Sequence, residues 1–448
     1  MNICIVGGGE LGSLIAEQLV MEGHDLSIIE KSEKQAKTLN DQLDAFVVNG
    51  NGTNVTNLEK ANIQKADLFL ALSNDDNVNI VSCGLVKKIS DATTIAKVEN
   101  YNQYFQNLRN KPSDFGIDKA VATKQLSINK ITELLSEPDA IEHIHFIREN
   151  VKIIGVQISE DFSGRGKMLK DFTRENSIWE KVRIVAVKKS SHVYIPGGND
   201  ILSKDDKLYI IGKSKVLREV IRLYFASKVK IRNVIVIGGN RIGKEFARIE
   251  AANGRKVTLV EEDEKLCARL SEELGNVLVV SGSGTNKSVL AELDMENAFV
   301  VCVTESDEHN IISAVLAKKN NAYKAVCNIS NIAISAIISQ VKEIDSVFST
   351  ESLALAEIIK YCRKGDILSI TPIPYLDAET IKIKISKKIP VLDKPINAIK
   401  FPPGMIIGAI VRQNDVFIPH GSDKIMINDI LIIFVLPESK KAVEKMFS

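Results

Sequence analysis

The sequence predicts an α/β protein built in tandem: two doubly wound parallel-sheet domains, each followed by a smaller α+β domain. Three observations carry this prediction. The stretch Ile5-Val6-Gly7-Gly8-Gly9-Glu10-Leu11-Gly12 returns as Val236-Ile237-Gly238-Gly239-Asn240-Arg241-Ile242-Gly243, a shift of 231 positions. The same shift relates Glu30 to Glu261, Ser73 to Thr304, Asp76 to Asp307 and Asn79 to Asn310, and a register held that long marks a duplication. A second correspondence, at 223 positions, pairs Ala186 with Ala409, Pro196 with Pro419 and Asp206 with Asp429. The units therefore run N-type, C-type, N-type, C-type, with expected spans 1–137, 138–227, 228–364 and 365–448.

In the first N-type unit, strand and helix alternate. Asn2 to Val6 reads as a strand, Leu11 to Glu22 as a helix, Asp25 to Ile29 as a strand and Lys34 to Leu43 as a helix. Strands follow at Ala45 to Val48, Asp67 to Leu72 and Thr93 to Val98, and a parallel sheet accommodates this order. The C-type units read as short strands. Eight of the 11 prolines lie after position 370, beside runs such as Ile381-Lys382-Ile383-Lys384-Ile385 and Ile406-Ile407-Gly408-Ala409-Ile410-Val411.

Composition narrows the function. Lys plus Arg (58) and Asp plus Glu (57) nearly cancel, which argues against a nucleic-acid partner. The longest apolar run, Ile430 to Leu436, ends at Pro437 and is far too short to span a bilayer. The chain enters its first strand without a signal-peptide pattern, so a cytoplasmic location is expected. Six scattered cysteines, none in a C-x-x-C pair, read as buried free thiols. His143 and His145 lie close together but have no sequence neighbours that complete a ligand set, so no metal is expected.

Gly7-x-Gly9-x-x-Gly12 lies between a β-branched strand and an amphipathic helix, the Rossmann-like context in which the pattern has a mechanism. Gly7 permits the turn, Gly9 lets the backbone approach a pyrophosphate, and Gly12 allows close helix-strand packing. The helix N-terminus supplies amide hydrogens and positive potential. A glycine turn without a ligand is the plainer alternative. Glu30, 18 residues after Gly12, stands where a carboxylate accepts hydrogen bonds from ribose hydroxyls and disfavours a 2′-phosphate, although Lys31 beside it leaves NADP open. The loop Gly50-Asn51-Gly52-Thr53, the segment Leu72-Ser73-Asn74 and Lys97 should border the same crevice, although Asn51 and Gly52 serve equally as turn formers. The second copy keeps Gly238, Gly243 and Glu261 but carries Asn240 in place of Gly9, where a side chain is expected to displace phosphates or distort the turn.

These residues resemble the TrkA family, regulatory subunits of Trk potassium-uptake systems built from two RCK units, and the resemblance spans essentially the whole chain. It rests on the glycine loop with Glu30, on Gly50-x-Gly52-Thr53 and on Ala71-Leu72-Ser73-Asn74-Asp75-Asp76-x-x-Asn79. The run Phe401-Pro402-Pro403-Gly404-x-Ile406-Ile407-Gly408-Ala409-Ile410-Val411-Arg412 completes it. The resemblance implies RCK N-type Rossmann domains alternating with RCK C-type domains, with nucleotide positions at Gly7, Gly9, Glu10, Leu11, Gly12, Glu30, Ser73, Asn74 and Lys97. In the second unit it implies Gly238, Gly243, Glu261 and Thr304. Departures are Asn51 and Ser283, where many relatives have Asp, and the missing basic residue near Cys327.

The resemblance further implies a peripheral protein on the inner face of the membrane that binds NAD(H), or alternatively ADP/ATP. Such a protein assembles as a homodimer or homotetramer and gates a potassium-translocating integral membrane subunit of the TrkH/TrkG type. No catalysis is implied. An NAD-dependent oxidoreductase is the competing reading, but it would need a substrate-facing acid or base. His309 is the nearest candidate, and its counterpart in the first half is Val78.

Overall fold

A computed structural model describes residues 1–447 except 107–109, 147–149, 191, 226–228, 230, 332, 333, 335, 336, 339, 340, 342, 363–366, 374, 375, 377, 387, 388 and 414. The expected boundaries at 227/228 and 364/365 lie outside the described residues.

The first parallel sheet comprises β1 (Asn2–Val6), β2 (Asp25–Glu30), β3 (Phe46–Asn49), β4 (Leu68–Ala71), β5 (Thr93–Lys97) and β6 (Lys119–Val121). Their order is β3-β2-β1-β4-β5-β6, and every neighbouring pair is parallel. The helices between them are α1 (Glu10–Met21), α2 (Glu33–Gln42), α3 (Val55–Lys60) and α4 (Asp76–Ile89), and α5 (Thr123–Ser136) follows β6. β1 and β4 are adjacent in the sheet but are separated in sequence by two strands. The carboxyl end of β1 is therefore the topological switch point, where an open α/β sheet forms its crevice. β1 and β4 are buried along nearly their whole length, which explains their continuous apolar runs.

The next sheet is antiparallel, with order β10-β9-β11-β8-β7. It contains β7 (Ala140–Phe146), β8 (Val151–Gln157), β9 (Val182–Lys189), β10 (His192–Tyr194) and β11 (Lys207–Lys213), with α6 (Leu169–Arg174) and α7 (Ser214–Val220). The third sheet repeats the first as β14-β13-β12-β15-β16-β17. Its strands are β12 (Asn233–Ile237), β13 (Lys256–Glu261), β14 (Leu278–Ser281), β15 (Phe299–Cys302), β16 (Lys324–Asn328) and β17 (Ser346–Phe348). The accompanying helices are α8 (Arg241–Ala252), α9 (Glu264–Glu273), α10 (Lys287–Ala291), α11 (Asp307–Lys319) and α12 (Thr350–Ile359).

The last sheet is β18-β19-β22-β20-β21, formed by β18 (Ile367–Ile373), β19 (Ala378–Lys384), β20 (Met405–Arg412), β21 (Asp415–Phe417) and β22 (Ile430–Val435). A helix, α13 (Lys440–Phe447), closes the described chain. Each expected strand of the first N-type unit lies within one or two residues of its observed bounds.

The chain divides into two compact units that cut across the sequence halves: Met1–Asn129 with Phe348–Cys362, and Lys130–Val347 with Arg363–Ser448. In the first unit, Ala354, Ile358, Ile359 and Cys362 join the core formed by Ile3, Ile5, Ile15 and Leu19, so α12 packs on α1. The Ser127 and Thr350 hydroxyls lie 2.8 Å apart there, linking α5 to α12. In the second unit, the two antiparallel sheets share a core of Val185, Ala186, Tyr209 and Ile211 against Ala409, Val411, Ile432 and Phe434. The paired alanines 186 and 409 both belong to it, as expected where two sheets approach closely. Asp206 and Asp429 also repeat their roles. Asp206 accepts from the Ser203 amide beside Lys189, and Asp429 accepts from the Met426 amide and from Arg412. All six cysteines are free and buried.

Candidate nucleotide-binding site

Gly7 follows β1 at φ +98°, and a Cβ there would stand 2.7 Å from the Ser73 amide nitrogen, so the turn requires glycine. A Cβ at Gly12 would collide with the Gly7 carbonyl oxygen, which is what allows α1 to sit directly on the loop. Gly9 is different. It occupies the N-cap of α1 with no side-chain cap, and a Cβ there would meet no atom within 4 Å. Ahead of the first helical turn the loop is thus open and uncapped, a geometry in which amide hydrogens and the helix dipole can receive an anion. Glu10 is exposed on that turn, whereas the Leu11 side chain is buried in the core, so Leu11 can offer a ligand only its backbone.

Glu30 ends β2 and binds the loop directly. Its Oε2 accepts from the Gly8 amide at 2.6 Å and its Oε1 from the Ser32 amide at 2.7 Å. In the next peptide, the Gly8 carbonyl accepts from Ser13 Oγ at 2.9 Å and Gln35 Nε2 at 2.8 Å. Ser13 and Gln35 therefore shape the loop, although nothing in their sequence context signals it; the corresponding positions in the second half are Lys244 and Leu266.

The rim beyond β4 and β5 is built on Asn79, which is fully buried in α4. Its side chain accepts from the Ser73 amide (2.9 Å) and hydroxyl (2.8 Å) and donates to the Ser73 and Lys97 carbonyls (2.9 and 3.0 Å). Asp76 accepts from the Glu99 and Asn100 amides, both at 2.8 Å, and so fixes the turn after β5. Lys97 Nζ donates to Asn74 Oδ1 at 3.0 Å and lies 3.5 Å from Glu99. Burial raises the Glu99 pKa, but Lys124 and Lys97 outweigh it and hold the carboxyl below its ordinary range. The structure thus brings together the strand-end residues named from sequence. Asn51 makes a local turn instead: its Oδ1 accepts from the Thr53 amide and hydroxyl, both at 3.0 Å.

The second copy repeats this frame. Gly238 has φ +109°, and a Cβ at Gly243 would strike the Gly238 carbonyl. Glu261 accepts from the Gly239 amide at 2.7 Å and the Asp263 amide at 2.9 Å. Thr304 donates to Asn310 Oδ1 through its amide (2.7 Å) and hydroxyl (2.8 Å). Of the two outcomes expected at Asn240, the structure excludes one: Asn240 does not distort the turn. Its φ, ψ of −62°, 179° nearly match the −68°, −168° of Gly9, because both stand in extended N-cap geometry open to any residue. Its side chain folds back over α8 instead. His309 lies in the first turn of α11, where its amide donates to Ser306 Oγ at 3.2 Å.

The TrkA-N domain model matches residues 3–123 and 234–350, and the TrkA-C domain model matches residues 148–224 and 381–448. The chain belongs to the TrkA family. It is 30% identical to Trk system potassium uptake protein TrkA homolog 1 of Methanosarcina mazei over the full length of both chains. It is 28% identical to the Trk system potassium uptake protein TrkA of Halomonas elongata, covering 100% of this chain and 98% of that one. Among solved structures, the fold is similar to the GsuK RCK domain (TM-score 0.61, 17% identity, 100% of this chain and 94% of that one). It is equally similar to the GsuK channel bound to NAD (TM-score 0.61, 17% identity, 100% and 78%). The tandem of Rossmann-like and C-type domains in this TrkA protein is therefore an RCK architecture. Among the described residues, no helix is long and apolar enough to cross a membrane.

Proposed function

We propose that this TrkA protein is a non-enzymatic, nucleotide-binding regulatory subunit of a potassium-uptake system. The observation that carries the reading is the open, uncapped N-terminus of α1 at Gly9, with the Glu30 carboxylate held on the amide of the adjacent Gly8 at 2.6 Å. These residues fit an adenine nucleotide. The amides at Gly9 to Gly12 receive the phosphates and Glu30 accepts from the ribose hydroxyls, while Ser73, Asn74 and Lys97 line the far wall. The bound nucleotide supplies the polyphosphate charge that these groups meet. NAD(H) is the preferred ligand and ADP/ATP the alternative; the similarity of the fold to the GsuK channel bound to NAD supports this choice.

Full-length similarity to the Trk system potassium uptake proteins of Methanosarcina mazei and Halomonas elongata supports the assignment to potassium transport. The protein would act from the cytoplasmic face as a homodimer or homotetramer on a TrkH/TrkG-like membrane subunit. Nucleotide would change the gate only through different affinities for two arrangements of the assembly. An oxidoreductase would need an acid or base facing the crevice, whereas the cation there, Lys97, is tied to Asn74 and Glu99.

The test is potassium uptake under limiting potassium in cells lacking this chain, rescued by the wild-type protein or by Glu30→Ala. Uptake should fall on deletion and recover with wild type only. Unchanged uptake on deletion would overturn the assignment.

A further inference from the structure

In this protein the second N-type crevice is filled from within. Asn240 Oδ1 accepts from the Ile242 amide at 3.0 Å and the Gly243 amide at 3.1 Å, the first-turn donors that α1 leaves without a side-chain cap. Its Nδ2 donates across the crevice to the Val303 carbonyl at the end of β15 and to Glu305 Oε1 at 3.2 Å. One carboxamide thus joins the N-terminus of α8 to the strand-end rim, spanning the gap that a phosphate group would have to enter.

Two further substitutions act in the same direction. Glu305 stands at the position of Asn74, so a carboxylate faces the crevice where the first half has a neutral amide. Asn328 stands at the position of Lys97, removing the cation from the opposite wall. A phosphate entering this crevice must displace the two amide hydrogen bonds to Asn240 and then meet the Glu305 carboxylate. Arg241, exposed in the first turn of α8 where the first half has Glu10, acts in the opposite direction, so the exclusion rests on the Asn240 bridge.

We propose that Asn240 is a built-in occupant of the second phosphate cradle, so that each chain takes up one nucleotide, in the first crevice, while the second stays closed. This rests on the reading that the first crevice binds nucleotide. It makes the two halves different in kind: one responds to nucleotide, and the other is a fixed arm whose α8 and β15 are held together whether nucleotide is present or not. Asn240 is a specificity-determining residue on this account, acting by exclusion.

The experiment is calorimetric titration of the full chain with NADH and, separately, ADP. Wild type should bind one equivalent per chain and Asn240→Gly two. Asn240→Asp, which keeps the cap on α8 but loses the donor to Val303 and adds charge, should remain at one. Two equivalents on wild type overturn the proposal, as does one equivalent on a folded Asn240→Gly protein. Should Asn240→Gly not fold by circular dichroism, the wild-type stoichiometry decides alone, one supporting the proposal and two overturning it. Zero equivalents on both proteins would instead refute nucleotide binding by the first half, a separate failure.

Discussion

The Gly8 amide donates to Glu30 Oε2 at 2.6 Å, and 231 positions later the Gly239 amide donates to Glu261 Oε2 at 2.7 Å. The carboxylate at the end of the second strand is therefore a strut for the glycine loop, in addition to the ribose contact proposed for Glu30. Glu30→Ala should weaken binding of NADH, ADP and ATP alike through the lost charge-assisted hydrogen bonds, by about 1.5 to 3 kcal/mol. It should also lower the thermal transition, since the Gly8 and Ser32 amides both lose their acceptor. Calorimetry beside a melting curve checks both effects; weaker binding with an unchanged melt would show that the strut carries no stability.

Ligand choice follows from the same carboxylate. NADP adds a phosphate at the ribose 2′ position, where Glu30 presents like charge, so NADH should bind more tightly than NADPH. Lys31 is exposed beside Glu30, and its solvent-screened charge should only soften the preference. Equal dissociation constants for the two in a direct titration would remove Glu30 from this role.

How far the sequence spoke is clearest at the paired positions. The 231-residue register located both glycine loops, both carboxylates and the Asn79/Asn310 pair, because each meets a backbone constraint that few residues satisfy. Two things stayed hidden. Gln35 of α2 and Ser13 of α1, both half-buried, hold the Gly8 carbonyl, and an isolated polar residue carries no periodic signal. The placement of α12 in the unit of the first sheet is likewise invisible, because its apolar stripe reports that it is buried without reporting against what. At Asn240 the sequence left two outcomes open, displaced phosphates or a distorted turn, and the N-cap geometry, which accepts the side chain freely, removes the second.

The reciprocal change tests that geometry. Gly9→Asn places a side chain where a Cβ meets nothing within 4 Å and where φ, ψ already match those of Asn240. The new carboxamide should cap α1, adding a few tenths of a kcal/mol to stability over glycine. Nucleotide affinity should drop by about tenfold or more, equivalent to at least 1.4 kcal/mol. A variant that is more stable yet binds poorly is the expected signature. Loss of both properties would instead indicate a damaged loop.

Gly404, in the run Phe401 to Arg412, has φ +78°, and a Cβ there would come 2.9 Å from Ser439 Oγ. Its carbonyl accepts from the Leu436 amide at 2.8 Å, so the backbone has little freedom to move away. Gly404→Ala should cost about 1 to 2 kcal/mol, the penalty of a left-handed conformation in an L-residue. The effect belongs to the C-type fold. Chemical denaturation should show it, with the affinity for NADH unchanged; altered NADH binding would contradict a purely structural role.

The pH dependence has an identifiable source in His143 of β7. Its Nδ1 lies 3.0 Å from Glu133 Oε1 and 3.3 Å from Glu137 Oε2. Lys152 pairs with Glu137, and Lys130 donates to the His143 carbonyl at 2.9 Å. Burial, aided by Lys130 and Lys152, outweighs the upward pull of the Glu133 carboxylate and holds the imidazole down at about 4. With the folded pKa below the ordinary 6.5, the unfolded chain takes up the proton first as the solution is acidified. The stability held by neutral His143 is present in full above pH 6.5 and is lost as pH falls through about 4. A shift of this size corresponds to roughly 3 kcal/mol. His143→Gln cannot titrate, so between pH 6.5 and 4.5 its stability should fall less steeply than that of wild type. Amide exchange in β7 and β8, which pair along this stretch, reads the effect locally. Parallel pH slopes for the two proteins would exclude His143 as the source.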